Sequence, residues 1–163
     1  MVHSIRLLTV SLVLATLSMP LTAAESDAKK PPKPKELKAA PTEVTIGQQT
    51  IRLKATLIRN RMPMIGPAAG SRDYFVLRLS TDDKAAFPAD AKFTDVYAVQ
   101  GENVWKAKKL EGPRGGQKGM VELVARDVPP FAGRGEINVV VQLTTAEKAK
   151  LAIRGIAKPM EVH

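Results

Sequence analysis

Glu136-Ile137-Asn138-Val139-Val140-Val141-Gln142-Leu143 places apolar side chains at every odd position, with Asn138 and Gln142 among the residues between them. A period of two in a β-branched run is the mark of a strand with one buried face. A polar break, Thr144 to Glu147, follows, and Lys150-Leu151-Ala152-Ile153-Arg154 then alternates again. Two such runs joined so closely predict an antiparallel hairpin within Gly135–Ala157.

The same alternation recurs upstream. Glu43-Val44-Thr45-Ile46 reads as a short strand. From Thr50 onward Ile51, Leu53, Ala55 and Leu57 alternate with Arg52, Lys54 and Thr56. Tyr74–Ser80 and Met120–Arg126 follow the rule, and Lys92–Gln100 with Asn103–Lys109 reads as a hairpin across Gly101-Glu102. Asn60–Arg72, Thr81–Ala91, Glu111–Gly119 and Asp127–Arg134 carry Gly, Pro and no period, so they are expected to be loops. No stretch has helical periodicity. The expected fold is all-β: a seven- to eight-stranded antiparallel sandwich.

Strand number and length resemble the immunoglobulin and fibronectin-III-like sandwiches, and exported bacterial domains of that architecture without an assigned activity. The cysteine pair and the tryptophan between them, which mark true immunoglobulin domains, are absent, so the resemblance implies architecture only. The expected shared core is Ile51, Leu53, Leu57, Phe75, Leu77, Leu79, Val121, Leu123, Ile137, Val139, Val141 and Ile153.

The chain before Thr42 has another composition. Arg6, an apolar run from Leu7 to Leu21, Pro20 and the small residues Thr22-Ala23-Ala24 predict a signal peptide over Met1–Ala24, followed by a mature start near Glu25. Glu25–Pro41, with Lys29-Lys30-Pro31-Pro32-Lys33-Pro34-Lys35, is expected to be a disordered, solvated spacer or basic tether. The domain is then Thr42–His163. It holds 19 Lys and Arg against 13 Asp and Glu, a net charge of +6 that favours acidic partners. Export would permit disulfides, yet the chain has no cysteine.

Catalysis finds little support. Past Ala24 the only histidine is His163, the last residue, and the only serines are Ser26, Ser71 and Ser80. A terminal imidazole cannot be held as a general base, so neither a serine nor a cysteine centre can be assembled. An unrecognised carboxylate site is the remaining enzymatic alternative. Asp82, Asp83 and Asp90 do not match a calcium loop. Gly112–Gly119 is no phosphate-binding loop, because no helix follows it. Seven aromatics, Tyr74, Phe75, Phe87, Phe93, Tyr97, Trp105 and Phe131, fall mostly at core or loop positions, which argues against nucleic acid. No cofactor is expected, nor any membrane span after cleavage.

If successive strands cross the molecule and reverse, the loops after Arg59 and before Gly135, the Gly101 turn and the chain terminus share one end. That end gathers Arg59, Arg61, Met62, Met64, Arg72, Phe131, Arg134 and Lys158 as an expected contact surface for a protein or an anionic cell-envelope polymer. Met62, Met64, Met160 and His163 are soft donors that would suit Cu(I), which makes periplasmic copper handling the alternative. The opposite end is richer in acids: Asp82, Asp83, Asp90, Glu111 and Glu147.

Overall fold

The alternating stretches become strands. In a computed structural model, which describes residues 32–60, 73–82, 85–115, 117–126, 128 and 135–162, a short helix α1 (Pro34–Lys38) precedes β1 (Glu43–Ile46), β2 (Gln49–Asn60) and β3 (Asp73–Thr81). β4 (Lys92–Gln100), β5 (Asn103–Lys106), β6 (Leu110–Gly115), β7 (Met120–Ala125), β8 (Ile137–Thr144) and β9 (Lys150–Val162) follow. They form a nine-stranded mixed sheet in the order β5-β4-β8-β9-β2-β3-β7-β6, with β1 paired to β2. The sheet curls, because Phe75 on β3 and Trp105 on the distant β5 bring their ring centroids to 5.9 Å.

The purely antiparallel expectation is corrected at one seam. β8 and β9 do form the expected hairpin, with Val139 opposite Gly155 and Val141 opposite Ile153. β9, however, does not stop near Arg154. It runs on and pairs in parallel with β2, from Ala55 beside Ala157 to Asn60 beside Val162. Gly155 makes this possible: a Cβ there would lie 2.8 Å from the Leu53 carbonyl oxygen. Pro159 is tolerated because the β8 ladder ends at Ala157, leaving β9 with one strand partner among the described residues. The first and last long strands thereby become neighbours.

The first part of Glu111–Gly119, expected to be loop, is instead the edge strand β6, paired among the described residues only with β7 and shifted in register between Glu111 and Arg114. Gly112, Pro113 and Gly115 weaken a strand, yet an edge position tolerates them.

The odd-numbered side chains of the final hairpin face the main core, with Ile51, Leu57, Phe75, Leu77, Leu79 and Leu123. Of the expected core set, Val121 alone is half-buried. Burying each such side chain is worth about 1.5–3 kcal/mol.

A second correction concerns the spacer. Within Glu25–Pro41, residues Pro34–Lys38 are helical and Leu37 is buried at 3% exposure against Tyr97, Val99 and Val140, on the outer face of the sheet. Pro34 opens the helix, and Glu36 accepts a hydrogen bond from the Lys33 backbone N–H (3.3 Å). A five-residue helix is unstable alone, so docking holds it. Arg154 donates from its backbone N–H to the Pro41 carbonyl (2.7 Å) and from Nε to the Ala40 carbonyl (3.1 Å). Leu37→Ser is expected to free α1, with about 2 kcal/mol lost from unfolding and faster hydrogen exchange at the Arg154 amide. An unchanged exchange rate at that amide would show that Leu37 does not anchor the segment. The signal-peptide and disorder expectations for residues 1–31 lie outside the described residues.

Candidate interaction surface

Even-numbered residues of β2 and β9 share the outer face. The parallel register sets Thr56 beside Lys158 and Ile58 beside Met160, and one step earlier the same register brings Lys54 beside Ile156. The face therefore alternates basic and aliphatic side chains. Ile156 and Met160, at 49% and 50% exposure, are the exposed large hydrophobics among the described residues. Next to Met160, Ile58 is buried.

Several cations elsewhere on the sheet are paired, although among the described residues Lys92 on β4 and Lys150 at the start of β9 are not. Arg52 pairs with Glu43 (3.0 Å) and Asp82 (2.6 Å), Arg78 with Glu122 (2.9 Å), and Lys106 with Asp95 (2.7 Å). Hydrogen bonding to Asp95 raises the Lys106 ammonium above its ordinary value. Glu111 receives Arg126 (2.8 Å), Arg114 (3.3 Å) and Lys109 (3.6 Å), and its carboxyl is held below the ordinary range, chiefly by the Arg126 hydrogen bond. Lys54 and Lys158 have no ion pair among the described residues. Uncompensated charge and exposed aliphatics thus coincide on one face.

Asn60 and Val162 are register partners, so β2 and β9 finish at one end. Gln100 Nε2 donates to the Gly135 carbonyl (3.4 Å), placing the Gly101 turn close to the start of β8. At the other end Thr81 N–H donates to the Gly119 carbonyl (2.9 Å) and Ala146 N–H to Asp90 Oδ2 (3.0 Å).

Of the expected contact residues, Lys158 lies on the exposed face, whereas Arg59 is half-buried and has Asp73 and Glu161 as its register neighbours. Arg61, Met62, Met64, Arg72, Phe131, Arg134 and His163 lie outside the described residues, and of the expected copper ligands only Met160 lies within them. Sequence reasoning missed Lys54 and Ile156. The signal was present, since Arg154, Ile156, Lys158 and Met160 continue the period of two, but Gly155 and Pro159 disguised it.

A concavity of about 620 Å³ lies at the acid-rich end between the β1–β2 turn, Pro88 and the β8–β9 turn, with Asp90 and Glu147 in its wall. Asp90 is already engaged by Ala146 N–H. Asp82 is likewise spent on Arg52.

Among the described residues no helix is long and apolar enough to cross a membrane, and no three His, Cys, Asp or Glu side chains are grouped to hold a metal. No protein-family model matches the chain, and no curated protein matches it. Among solved structures it is similar to the archaellum periplasmic stator protein FlaG from Sulfolobus acidocaldarius, at 10% identity and a TM-score of 0.31, over 63% of this chain and 100% of that one. A similarity this distant transfers nothing to this chain.

Proposed function

We propose that the chain is an exported, non-catalytic module of immunoglobulin-like architecture. It binds a protein or an anionic cell-envelope polymer at the end where β2 and β9 finish. Two things support the architecture. β2-β3-β7-β6 and β4-β8-β9, read in chain order with β5 as an added strand, correspond to the A-B-E-D and C-F-G arrangement of such sandwiches. One face of each group also shares one core: the odd-numbered residues of β2, β3, β7, β8 and β9, and Val96 and Ala98 of β4. The observation that carries the binding reading is the pair of exposed aliphatics beside lysines without acidic partners among the described residues.

Arg61→Glu with Arg134→Glu is expected to abolish capture of the cell-envelope partner by the mature chain, with thermal unfolding unchanged. Unaltered capture would move the binding site away from this end. Copper handling through Met62, Met64, Met160 and His163 is the weaker reading. The register of Asn60 with Val162 favours it, but Lys158 beside Met160 would oppose a cation.

A further inference from the structure

We infer that the outer face of β2 and β9 takes an acidic protein segment anchored by two aliphatic side chains, laid alongside α1. This rests on the binding reading above and names the class of partner. Three observations carry it.

The first is geometric. Ile156 and Met160 are four residues apart on the same face of a strand, about 13 Å at the usual rise. They are exposed; Lys158 lies between them on β9, and Lys54, one residue before the paired stretch of β2, falls beside Ile156 when the register is carried one step back. Apolar anchors with cations between them complement a chain that carries apolar side chains with carboxylates between them.

The second is continuity with a contact the molecule already makes. The outer face of β9 begins at Ala152 and Arg154, which lie against the docked N-terminal segment. Ala152 borders the patch of Tyr97, Val99 and Val140 that Leu37 fills, and Arg154 donates hydrogen bonds to the Ala40 and Pro41 carbonyls. Beyond Arg154 the same face continues through Ile156, Lys158 and Met160, and these three are exposed. One short segment is held against the first half through Ala40 and Pro41, with its single leucine on the adjoining β4 and β8, and the second half offers two anchors.

The third is the poor fit of other occupants. The chain's own stretch before α1 carries Lys29, Lys30 and Lys33 against Glu25 and Asp27, with its basic residues nearest α1 and no large apolar side chain from Glu25 to Lys33. It would meet like charge and supply no anchor. A second copy docking through the same face would bring two lysine-bearing faces with no acidic side chain between Lys54 and Ile58 or between Ile156 and Met160 against each other. A bare polyanion would leave Ile156 and Met160 in water.

The test uses the mature chain and a fluorescent peptide, Glu-Leu-Glu-Glu-Glu-Leu-Glu, with heptaglutamate and phosphatidylglycerol vesicles as the other arms. The leucine peptide is expected to bind about tenfold or more tighter than heptaglutamate, and more weakly as salt rises. Ile156→Ser with Met160→Ser, and separately Lys54→Gln with Lys158→Gln, should each weaken it by about tenfold. Both pairs lie on the surface, so thermal unfolding should stay near that of the wild type. Equal binding of heptaglutamate, indifference to either variant pair, or the same residue dependence with the vesicles alone would overturn the inference. If the peptide fails while Arg61→Glu with Arg134→Glu still abolishes capture, the binding reading stands and this assignment falls. If the peptide binds and those end variants leave capture intact, binding through this face stands and the part of the reading that places Arg61 and Arg134 in the contact falls.

Discussion

Val139→Asp is expected to remove the cooperative thermal transition altogether. Val139 is fully buried, sits in the middle of β8 opposite Ala98 on β4 and Gly155 on β9, and faces the main core. A carboxylate there meets apolar side chains from both neighbouring strands and from strands on the far side of the curled sheet. An unpaired buried charge costs several kcal/mol even after its pKa rises, and a domain of this size has about 5–15 kcal/mol in total. Val139→Thr separates charge from shape, since a hydroxyl without a partner costs about 1–3 kcal/mol and should leave a depressed but cooperative transition. Circular dichroism melts of the two variants check this. A near-native melt for Val139→Asp would mean that the odd-numbered face of β8 is not the core.

Gly155→Val should be nearly as damaging, for a different reason. The backbone of Gly155 is not in a conformation that needs glycine, so the penalty is one of space. Its Cβ would come within 2.8 Å of the Leu53 carbonyl oxygen and 3.1 Å of Leu53 Cγ. The carbonyl belongs to a central strand and cannot swing away. Either β9 lifts off β2, losing the parallel ladder from Ala157 to Val162, or β2 shifts within its own pairing with β3. Overpacking of this kind costs about 1–3 kcal/mol, and separation of the strands adds the ladder to that. Gly155→Ala meets the same contact with less bulk and should fall between. Hydrogen exchange locates the damage: amides from Ala157 to Val162 should lose protection first, while Leu143 and Val141 keep theirs. Uniform loss of protection would show that the seam is not a separable element.

Most strands were legible because each buries one face, and a period of two cannot be satisfied by another local structure. Ile51, Leu53 and Leu57, or Phe75, Leu77 and Leu79, name their face without help from the rest of the chain. β6 was not legible, because Gly112, Pro113 and Gly115 are the residues of a loop and an edge strand alike. Only the partner strand, β7, distinguishes the two. α1 was hidden by averaging: the Lys and Pro around it dominate the composition, and its helical state depends on Leu37 meeting a patch made by Tyr97, Val99 and Val140.

The sequence by itself determined that the chain is all-β, which residues form the core and which parity of each strand faces it. These are local consequences of alternation, and the hydrophobic effect acts on them wherever the strands end up. It did not determine that β9 would pass β8 and lie parallel to β2. That depends on the Leu53 carbonyl meeting a residue without a side chain, a contact between positions a hundred residues apart. The seam in turn decides the candidate surface. Lys54 and Ile156 become neighbours only through the parallel register, so a basic and aliphatic face exists in the folded chain where the sequence holds only a lysine in one strand and an isoleucine in another.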